Sequence, residues 1–183
     1  MNLLIADSGP LFSLAAGDLL GVLDRFSLAV TDVVKEETFD KGLLANCSIE
    51  ARRLIDFYNH PNTIVTVIQT QVGSAVRAKR VADPQYQQPR NLGELSIQSY
   101  LIELRVSQPD AAPVVLFEDG WFLRNAAALP LGTLISTEAF LINLERLKII
   151  TSAANARKAI QMGRPDASLI VHTQKLGKDR QTG

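Results

Sequence analysis

Short apolar runs at intervals along the chain limit what it can fold into. Residues 3–6, 28–30 and 113–117 are apolar at nearly every position, and each run is too short for a helix of its own. Such runs are typical of strands buried on both faces. Residues 63–68, rich in β-branched side chains, and residues 133–135 add two strands. Helical segments separate the strands, which predicts a three-layer α/β fold with a mainly parallel central sheet flanked by helices.

The segments between the strands repeat apolar residues at helical spacing. Pro10 and the cap candidates Thr31 and Asp32 mark where two helices begin. The predicted helices cover residues 11–26, 33–39, 49–58, 74–82, 92–106, 118–129, 137–147 and 153–162. Residues 1–150 are predicted to form one domain. Residues 151–183 are predicted to add a last helix, an apolar stub and a polar tail, either within that domain or as a flexible extension.

Composition excludes several classes of protein. A chain of 183 residues that is 46% hydrophobic can bury one core. Its 19 basic and 19 acidic residues cancel, so no overall field favours a polyanionic partner. The single cysteine, Cys47, cannot form an intramolecular disulfide. Because no secretion signal and no apolar run of roughly 18 residues is present, we expect a cytoplasmic protein that does not enter a membrane.

Acidic residues follow the predicted strands, at the sheet edge where α/β proteins bind ligands. They are Asp7, Glu36, Glu37, Glu94, Glu118 and Asp119. Carboxylates from separate segments repel one another unless a divalent cation lies between them. Oxygen ligands favour Mg²⁺ or Mn²⁺, ions that activate water and stabilise charge on a phosphodiester. These acids are therefore candidate ligands of a catalytic metal.

Each acid also has a purely structural explanation. Asp7 follows a strand and is a candidate helix cap, and one acid of the pair at 118 and 119 is expected to cap the next helix. The two acids of the second helix lie in its first turn, where the helix dipole stabilises negative charge. Glu94 comes three residues after Asn91, which is the spacing of a capping box. Only the joint arrangement of the acids favours a site.

Four short motifs occur in order across most of residues 1–147. They are Leu3-Leu4-Ile5-Ala6-Asp7-Ser8-Gly9-Pro10-Leu11, Val30-Thr31-Asp32-Val33-Val34-Lys35-Glu36-Glu37, Gly93-Glu94-Leu95-Ser96-Ile97 and Val115-Leu116-Phe117-Glu118-Asp119. Together they resemble the PIN-domain family of ribonucleases, which includes the toxins of VapBC-type toxin–antitoxin modules. The resemblance implies a PIN-like α/β domain over residues 1–150.

The resemblance also implies a role for the acids in cleaving single-stranded or structured RNA with Mg²⁺ or Mn²⁺. The residues that would hold the metal are Asp7, Glu37, Glu94 and Asp119, with their neighbours Glu36 and Glu118 as alternatives. Ser8 stands where the family has a small hydroxyl residue beside the metal. A homodimer, and a small antitoxin protein that covers the acidic pocket, are further implications.

Basic side chains near such acids are needed to receive a phosphate backbone. The candidates in this sequence are Arg77, Lys79, Arg80 and Arg124. The chain departs from the family at Thr31, where a proline is usual before the second helix. It departs again at residues 69–90, which are longer than compact toxins need. The second departure leaves the substrate groove and the partner surface open.

Two other functions stay open, namely a PIN-like binding or interaction module without catalytic activity and a metal-dependent DNA nuclease. Cys47, His60 and His172 are too few for a zinc cluster and lie in unrelated contexts. Glycine-rich phosphate-binding motifs are missing from the sequence. Trp121 and Phe122 are expected in the core rather than stacked on a base.

Overall fold

The computed structural model describes residues 3–177 of the chain. Within them lie six strands: β1 (Leu3–Ala6), β2 (Ser27–Thr31), β3 (Val65–Ile68), β4 (Val114–Phe117), β5 (Gly132–Ser136) and β6 (Thr173–Leu176). They form one sheet in the order β3-β2-β1-β4-β5-β6. Neighbouring strands are parallel, except for β5 and β6, which are antiparallel. The predicted α/β fold with a mainly parallel sheet is confirmed.

Helices connect the strands and mostly begin where the sequence predicts. They are α1 (Ser8–Ala16), α2 (Asp32–Glu37), α3 (Ile49–Tyr58), α4 (Gln71–Ala82), α5 (Leu92–Ser107), α6 (Gly120–Arg124), α7 (Thr137–Arg146) and α8 (Ala153–Gly163). A hydroxyl oxygen caps the amino end of five of them and accepts a backbone N–H bond. These caps are Thr31, Ser48, Thr70, Ser136 and Ser152. Of the two predicted caps for α2, Thr31 is the one used.

The centre of the sheet is covered on both faces. Leu4 and Ile5 are adjacent in β1, so their side chains point to opposite faces, and both are buried. The helices pack in two groups. In the first, α1 contacts α3 and α8, and α8 contacts α7; in the second, α5 contacts α2 and α4. Trp121 and Phe122 are buried in the core, as the sequence predicts.

A single helix over residues 11–26 is not formed. The helix α1 ends at Ala16, and Leu20–Arg25 is a separate 3₁₀ helix. The break includes Asp18, whose φ of 57° lies in the left-handed region that a helix cannot continue through. Apolar spacing persists across the break because both pieces bury side chains in the same core.

A single helix over residues 118–129 is also wrong. The helix α6 covers five residues, and only a 3₁₀ turn, Ala126–Ala128, follows it. The side chain of Asn125 ends α6 by donating to the Trp121 carbonyl oxygen at 2.8 Å. A short polar side chain that bonds the local backbone competes with helix propagation.

The strand β6 has no counterpart in the sequence prediction. Three of its four residues are exposed and polar, so the apolar pattern of a strand is missing. It pairs with β5 while α8 contacts α1 and α7, so the described part of residues 151–183 packs against the rest of the fold. The last part of the predicted tail, residues 178–183, lies outside the described residues. No helix within residues 3–177 is long and apolar enough to cross a membrane.

Candidate active site

Asp7 is a buried carboxylate at the carboxyl end of the central strand. It occupies the cap position of α1 in extended backbone, but among residues 3–177 its side chain makes no capping hydrogen bond. Its exposed fraction is 3%, and its Oδ1 atom has no hydrogen-bond partner in the described part of the chain. A buried carboxylate oxygen without a hydrogen-bond partner destabilises the fold. Helix capping therefore does not explain why Asp7 is buried here. A bound ligand that contacts the carboxylate would explain it.

Glu37 reaches the same place from the end of α2. A Cβ atom added to Gly93 would lie 3.0 Å from Glu37 Oε2 and 3.4 Å from Asp7 Oδ1. The two carboxylate oxygens therefore flank one point in the first turn of α5. Gly93 carries no side chain, which leaves the space between them open. We call this space, together with the acids around it, the acid pocket.

Four acids from four segments influence one another electrostatically in the acid pocket. Burial, followed by the charge of Glu94 and smaller effects of Glu37 and Asp119, raises the pKa of Asp7 to about 8. Burial and then Glu94 raise the pKa of Glu37, while Lys41 and Ser8 oppose the rise. The pKa of Glu94 is raised by burial and by Asp119, against the effect of its own backbone N–H. Nearby like charges raise a carboxyl pKa, so Asp7 is affected by all three of the other acids.

Two predicted capping roles turn out differently. Asn91, before α5, has a left-handed backbone with φ of 59° and no capping side-chain bond among the described residues, so a capping box does not account for Glu94. Asp119 does cap its helix: its Oδ1 accepts from the Trp121 N–H at 2.6 Å. The same oxygen lies 3.8 Å from Arg124 Nη2. Asp119 thus has a structural role while facing the acid pocket.

The two neighbouring acids are engaged elsewhere. Glu36 pairs with Arg77 at 3.2 Å and with Arg80 at 2.9 Å. Glu118 is buried, accepts from Thr137 Oγ1 at 2.8 Å and pairs with Arg164 at 2.9 Å. Since both oxygens of Glu118 are bonded away from the acid pocket, its predicted role as a metal ligand is not retained.

A cleft of about 440 Å³ adjoins the acid pocket. Its lining residues are Ser8, Phe12, Val33, Glu36, Glu37, Lys41, Arg80, Gln88 and Leu92. Lys41 and Arg80 place two cations beside Glu37. Sequence reasoning missed Lys41, although it follows Glu37 by only four residues, because it lies in the 3₁₀ turn Asp40–Leu43 rather than in a predicted element.

The four basic candidates lie in different environments. Arg77 is held by Asp32 at 2.7 Å as well as by Glu36. Lys79 lies over the Tyr86 ring, with Nζ 5.6 Å from its centroid. Arg80 lines the cleft and Arg124 is exposed beside Asp119. The long segment at 69–90 contains α4, which contacts α5 beside the acid pocket.

The donor chemistry of the acid pocket suits a divalent cation. Carboxylate oxygens are the ligands that Mg²⁺ and Mn²⁺ prefer, and Asp7 Oδ1 is a buried oxygen without a partner among residues 3–177. In the described part of the chain, however, no three side chains of His, Cys, Asp or Glu are already placed to hold one ion. The acid pocket therefore fits a divalent cation by the chemistry of its carboxylate oxygens and by the free Oδ1 of Asp7 among residues 3–177, rather than by a complete set of ligands.

Filling the space at Gly93 is expected to weaken cation binding without unfolding the protein. The Gly93→Ala methyl would lie 3.0 Å from Glu37 Oε2, while alanine favours a helix more than glycine does. We expect Mn²⁺ affinity, measured by calorimetry, to fall by about tenfold or more. Gly21→Ala is the control, because no atom described lies within 4 Å of its added Cβ. Unchanged Mn²⁺ affinity in Gly93→Ala would place the cation elsewhere.

No protein-family model, curated protein or solved structure matches the chain.

Proposed function

We propose that the protein is a metal-dependent endoribonuclease of PIN type that cleaves single-stranded RNA. The observation that carries the proposal is the acid pocket. Asp7 is buried, and its Oδ1 has no hydrogen-bond partner among residues 3–177. Its pKa is raised to about 8, in part by the charges of three further acids from separate segments. A fold that needed these residues only as caps or surface charges would not bury Asp7 against like charges.

Asp7, Glu37, Glu94 and Asp119 are the residues that would hold the ion. Bound Mg²⁺ or Mn²⁺ would lower the pKa of a water molecule and would neutralise negative charge on the phosphodiester. The carboxylates have to be ionised for this role, so binding releases the proton that Asp7 carries at neutral pH. Among these four acids Asp7 is the buried one, so competing water is kept away from its carboxyl group.

The cleft beside the acid pocket supports a phosphodiester substrate. Lys41 and Arg80 can receive phosphate oxygens there. Arg80 reaches the cleft while paired with Glu36 at 2.9 Å, so it is oriented before any substrate binds. Ser8 lines the same cleft and offers a hydroxyl group to a neighbouring oxygen. A cleft lined by both acids and cations fits a substrate that bridges a metal ion and basic residues.

The deciding experiment is cleavage of a mixed single-stranded RNA pool with Mn²⁺ or Mg²⁺ supplied or chelated. Wild type, Asp7→Asn and Asp119→Asn are compared, with Asp56→Asn on the exposed side of α3 as the matched control. We expect cleavage that needs metal, is lost in the two pocket variants and persists in the control. Absence of both cleavage and Mn²⁺ binding in the wild type would refute the proposal and favour a binding module without catalytic activity.

Substrate choice is tested with the same protein. Single-stranded RNA, single-stranded DNA and duplexes are compared at one stated salt concentration, because groove shape and 2′-hydroxyl contacts select the substrate. Preferred cleavage of DNA would favour a DNA nuclease. A toxin role, an antitoxin partner, a homodimer and a cytoplasmic location belong to the proposal as implications of the family resemblance.

Lys41→Gln is expected to weaken RNA binding more than metal binding. Lys41 lines the cleft next to Glu37, and one lost phosphate contact lowers the salt dependence of binding by about one unit of slope. Filter binding of RNA across a salt series, with cleavage blocked by Asp7→Asn, measures this slope. Lys158→Gln, on the exposed side of α8, is the control. Equal slopes for the two lysine variants would remove Lys41 from the substrate path.

A further inference from the structure

A hydrogen-bond network behind the acid pocket joins the end of α8 to two other segments. Its centre is Nη1 of Arg164, the residue that follows α8. This nitrogen lies 2.7 Å from the Gly9 carbonyl oxygen, 2.8 Å from Ser13 Oγ and 2.9 Å from Glu118 Oε2. Because it carries two hydrogens, at least one of them is shared between two of these acceptors. Thr137 Oγ1 donates to the other Glu118 oxygen at 2.8 Å. One guanidinium nitrogen thus serves three acceptors from two segments.

Two of these partners stand beside residues of the acid pocket. Gly9 lies in the first turn of α1, two residues after Asp7. Glu118 directly follows β4 and directly precedes Asp119. Arg164 therefore connects the turn after β1 with the turn after β4. These are two of the four segments that bring carboxylates to the acid pocket.

The connection is closely packed and mostly shielded from water. Glu118 is 4% exposed and the Arg164 side chain is 28% exposed. A Cβ atom added to Gly9 would lie 3.1 Å from Glu118 Cβ, so the two turns already touch. Removing the guanidinium would leave a buried carboxylate with only the Thr137 bond, and a buried charge that loses its partner forces its surroundings to rearrange.

We propose that Arg164 is a positioning residue for the acid pocket: through Gly9 and Glu118, its guanidinium fixes the distance between Asp7 and Asp119. The proposal rests on the proposed function, because this distance matters only where the two carboxylates hold one cation. In this proposal, Glu118 links the Arg164 guanidinium to the neighbouring Asp119. Outer residues that orient metal ligands change metal affinity or activity by about 10- to 100-fold when replaced.

Arg164→Met tests the proposal against a matched control, Arg157→Met, seven residues earlier in α8. Arg157 also pairs with a buried glutamate, Glu138, at 3.6 Å, but it belongs to no turn of the acid pocket. We expect Arg164→Met to bind Mn²⁺ about 10- to 100-fold more weakly than wild type by calorimetry. Arg157→Met is expected to keep wild-type Mn²⁺ affinity. Cleavage by Arg164→Met is expected to lose kcat while the KM for RNA stays within about twofold.

A second readout needs neither metal nor activity. Trp121, the single tryptophan of the chain, comes two residues after Asp119 and reports on the turn after β4. We expect its near-ultraviolet circular dichroism in metal-free protein to change in Arg164→Met and to stay unchanged in Arg157→Met. A general loss of packing would instead appear in both variants and would lower their melting temperatures together.

The outcomes separate this proposal from the proposed function. Wild-type Mn²⁺ affinity and an unchanged Trp121 signal in folded Arg164→Met would overturn the positioning role while leaving the nuclease intact. If Arg164→Met does not fold, Arg164→Lys decides: it keeps the charge, but its side chain is one atom shorter, so the ammonium does not reach the position that Nη1 occupies. Wild-type affinity there would overturn the proposal. A wild type that neither binds Mn²⁺ nor cleaves RNA would refute the function and this proposal together.

Discussion

Replacing Asp7 with asparagine is expected to abolish Mn²⁺ binding and to lower RNA cleavage by more than about a hundredfold. The same change is expected to stabilise the metal-free protein at alkaline pH. Both effects have one cause, because the fold buries the Asp7 carboxylate with one oxygen, Oδ1, that has no hydrogen-bond partner among residues 3–177. An asparagine side chain of the same size carries no charge to bury and supplies a weaker metal ligand.

The sign of the pH effect follows from the raised pKa of Asp7, about 8 in the fold against an ordinary value of 3.8. Between these two values the folded protein holds a proton that the unfolded chain has released. Stability therefore falls as pH rises through this window, and the loss is complete above about pH 8. Asparagine does not titrate, so the variant escapes this loss.

Thermal unfolding in chelator at pH 5 and pH 8.5 measures the effect. We expect the melting temperature of Asp7→Asn, relative to wild type, to be higher at pH 8.5 than at pH 5. A difference of about 1 kcal/mol corresponds to roughly 2–4 °C for a domain of this size. Asp56→Asn, an exposed change on α3, is expected to show no such pH dependence. An equal offset at both pH values would show that Asp7 titrates normally.

The second large effect is expected from Arg77→Met, which should destabilise the fold by about 2 kcal/mol. Asp32 is 4% exposed and receives a 2.7 Å bond from Arg77 Nη2. Without it, the buried Asp32 carboxylate keeps only the bonds from Thr70 at 2.8 Å and from its neighbour Val33 at 3.1 Å. We place the cost low in the range for broken buried pairs because the Arg77 side chain is itself 37% exposed.

Arg124→Met is the matched control for this measurement. Its partner, Asp119, is 3.8 Å away and the Arg124 side chain is 71% exposed, so we expect a change below about 0.5 kcal/mol. Urea unfolding of the two variants gives the comparison. If Arg77 contacts the RNA backbone instead, its replacement will weaken RNA binding while leaving the unfolding midpoint in place.

Much of the fold could be predicted because each central strand is recognisable from its own few residues. β1 and β4 are apolar at each position and buried, so their sequences identify them without knowledge of the partner strands. β6 could not be found this way, because an edge strand with exposed Thr173, Gln174 and Lys175 needs no apolar pattern. The ends of α1 and α6 depend on single local bonds and backbone angles, which the apolar spacing does not record.

The sequence predicts that acids gather at this edge of the sheet, but it does not show which of two neighbouring acids points into the site. Their positions after strands identified them, since the carboxyl ends of parallel strands share one edge. The choice between Glu36 and Glu37 was not accessible, because successive helix residues point about 100° apart and the sequence does not say which faces inward. The same holds for Arg77, whose partner Asp32 lies in another helix and can be found only once the two are packed together.

The pairing of β1 with both β2 and β4 affects the order in which the protein can fold during its synthesis. Leu4 pairs with Leu28, which is near in the chain, and with Val114, which is far from it. During synthesis the first strand can find one neighbour early, but the last acid of the pocket emerges only with residue 119, and Arg164 later still. The acid pocket therefore stays incomplete on the ribosome until most of the chain has left the exit tunnel.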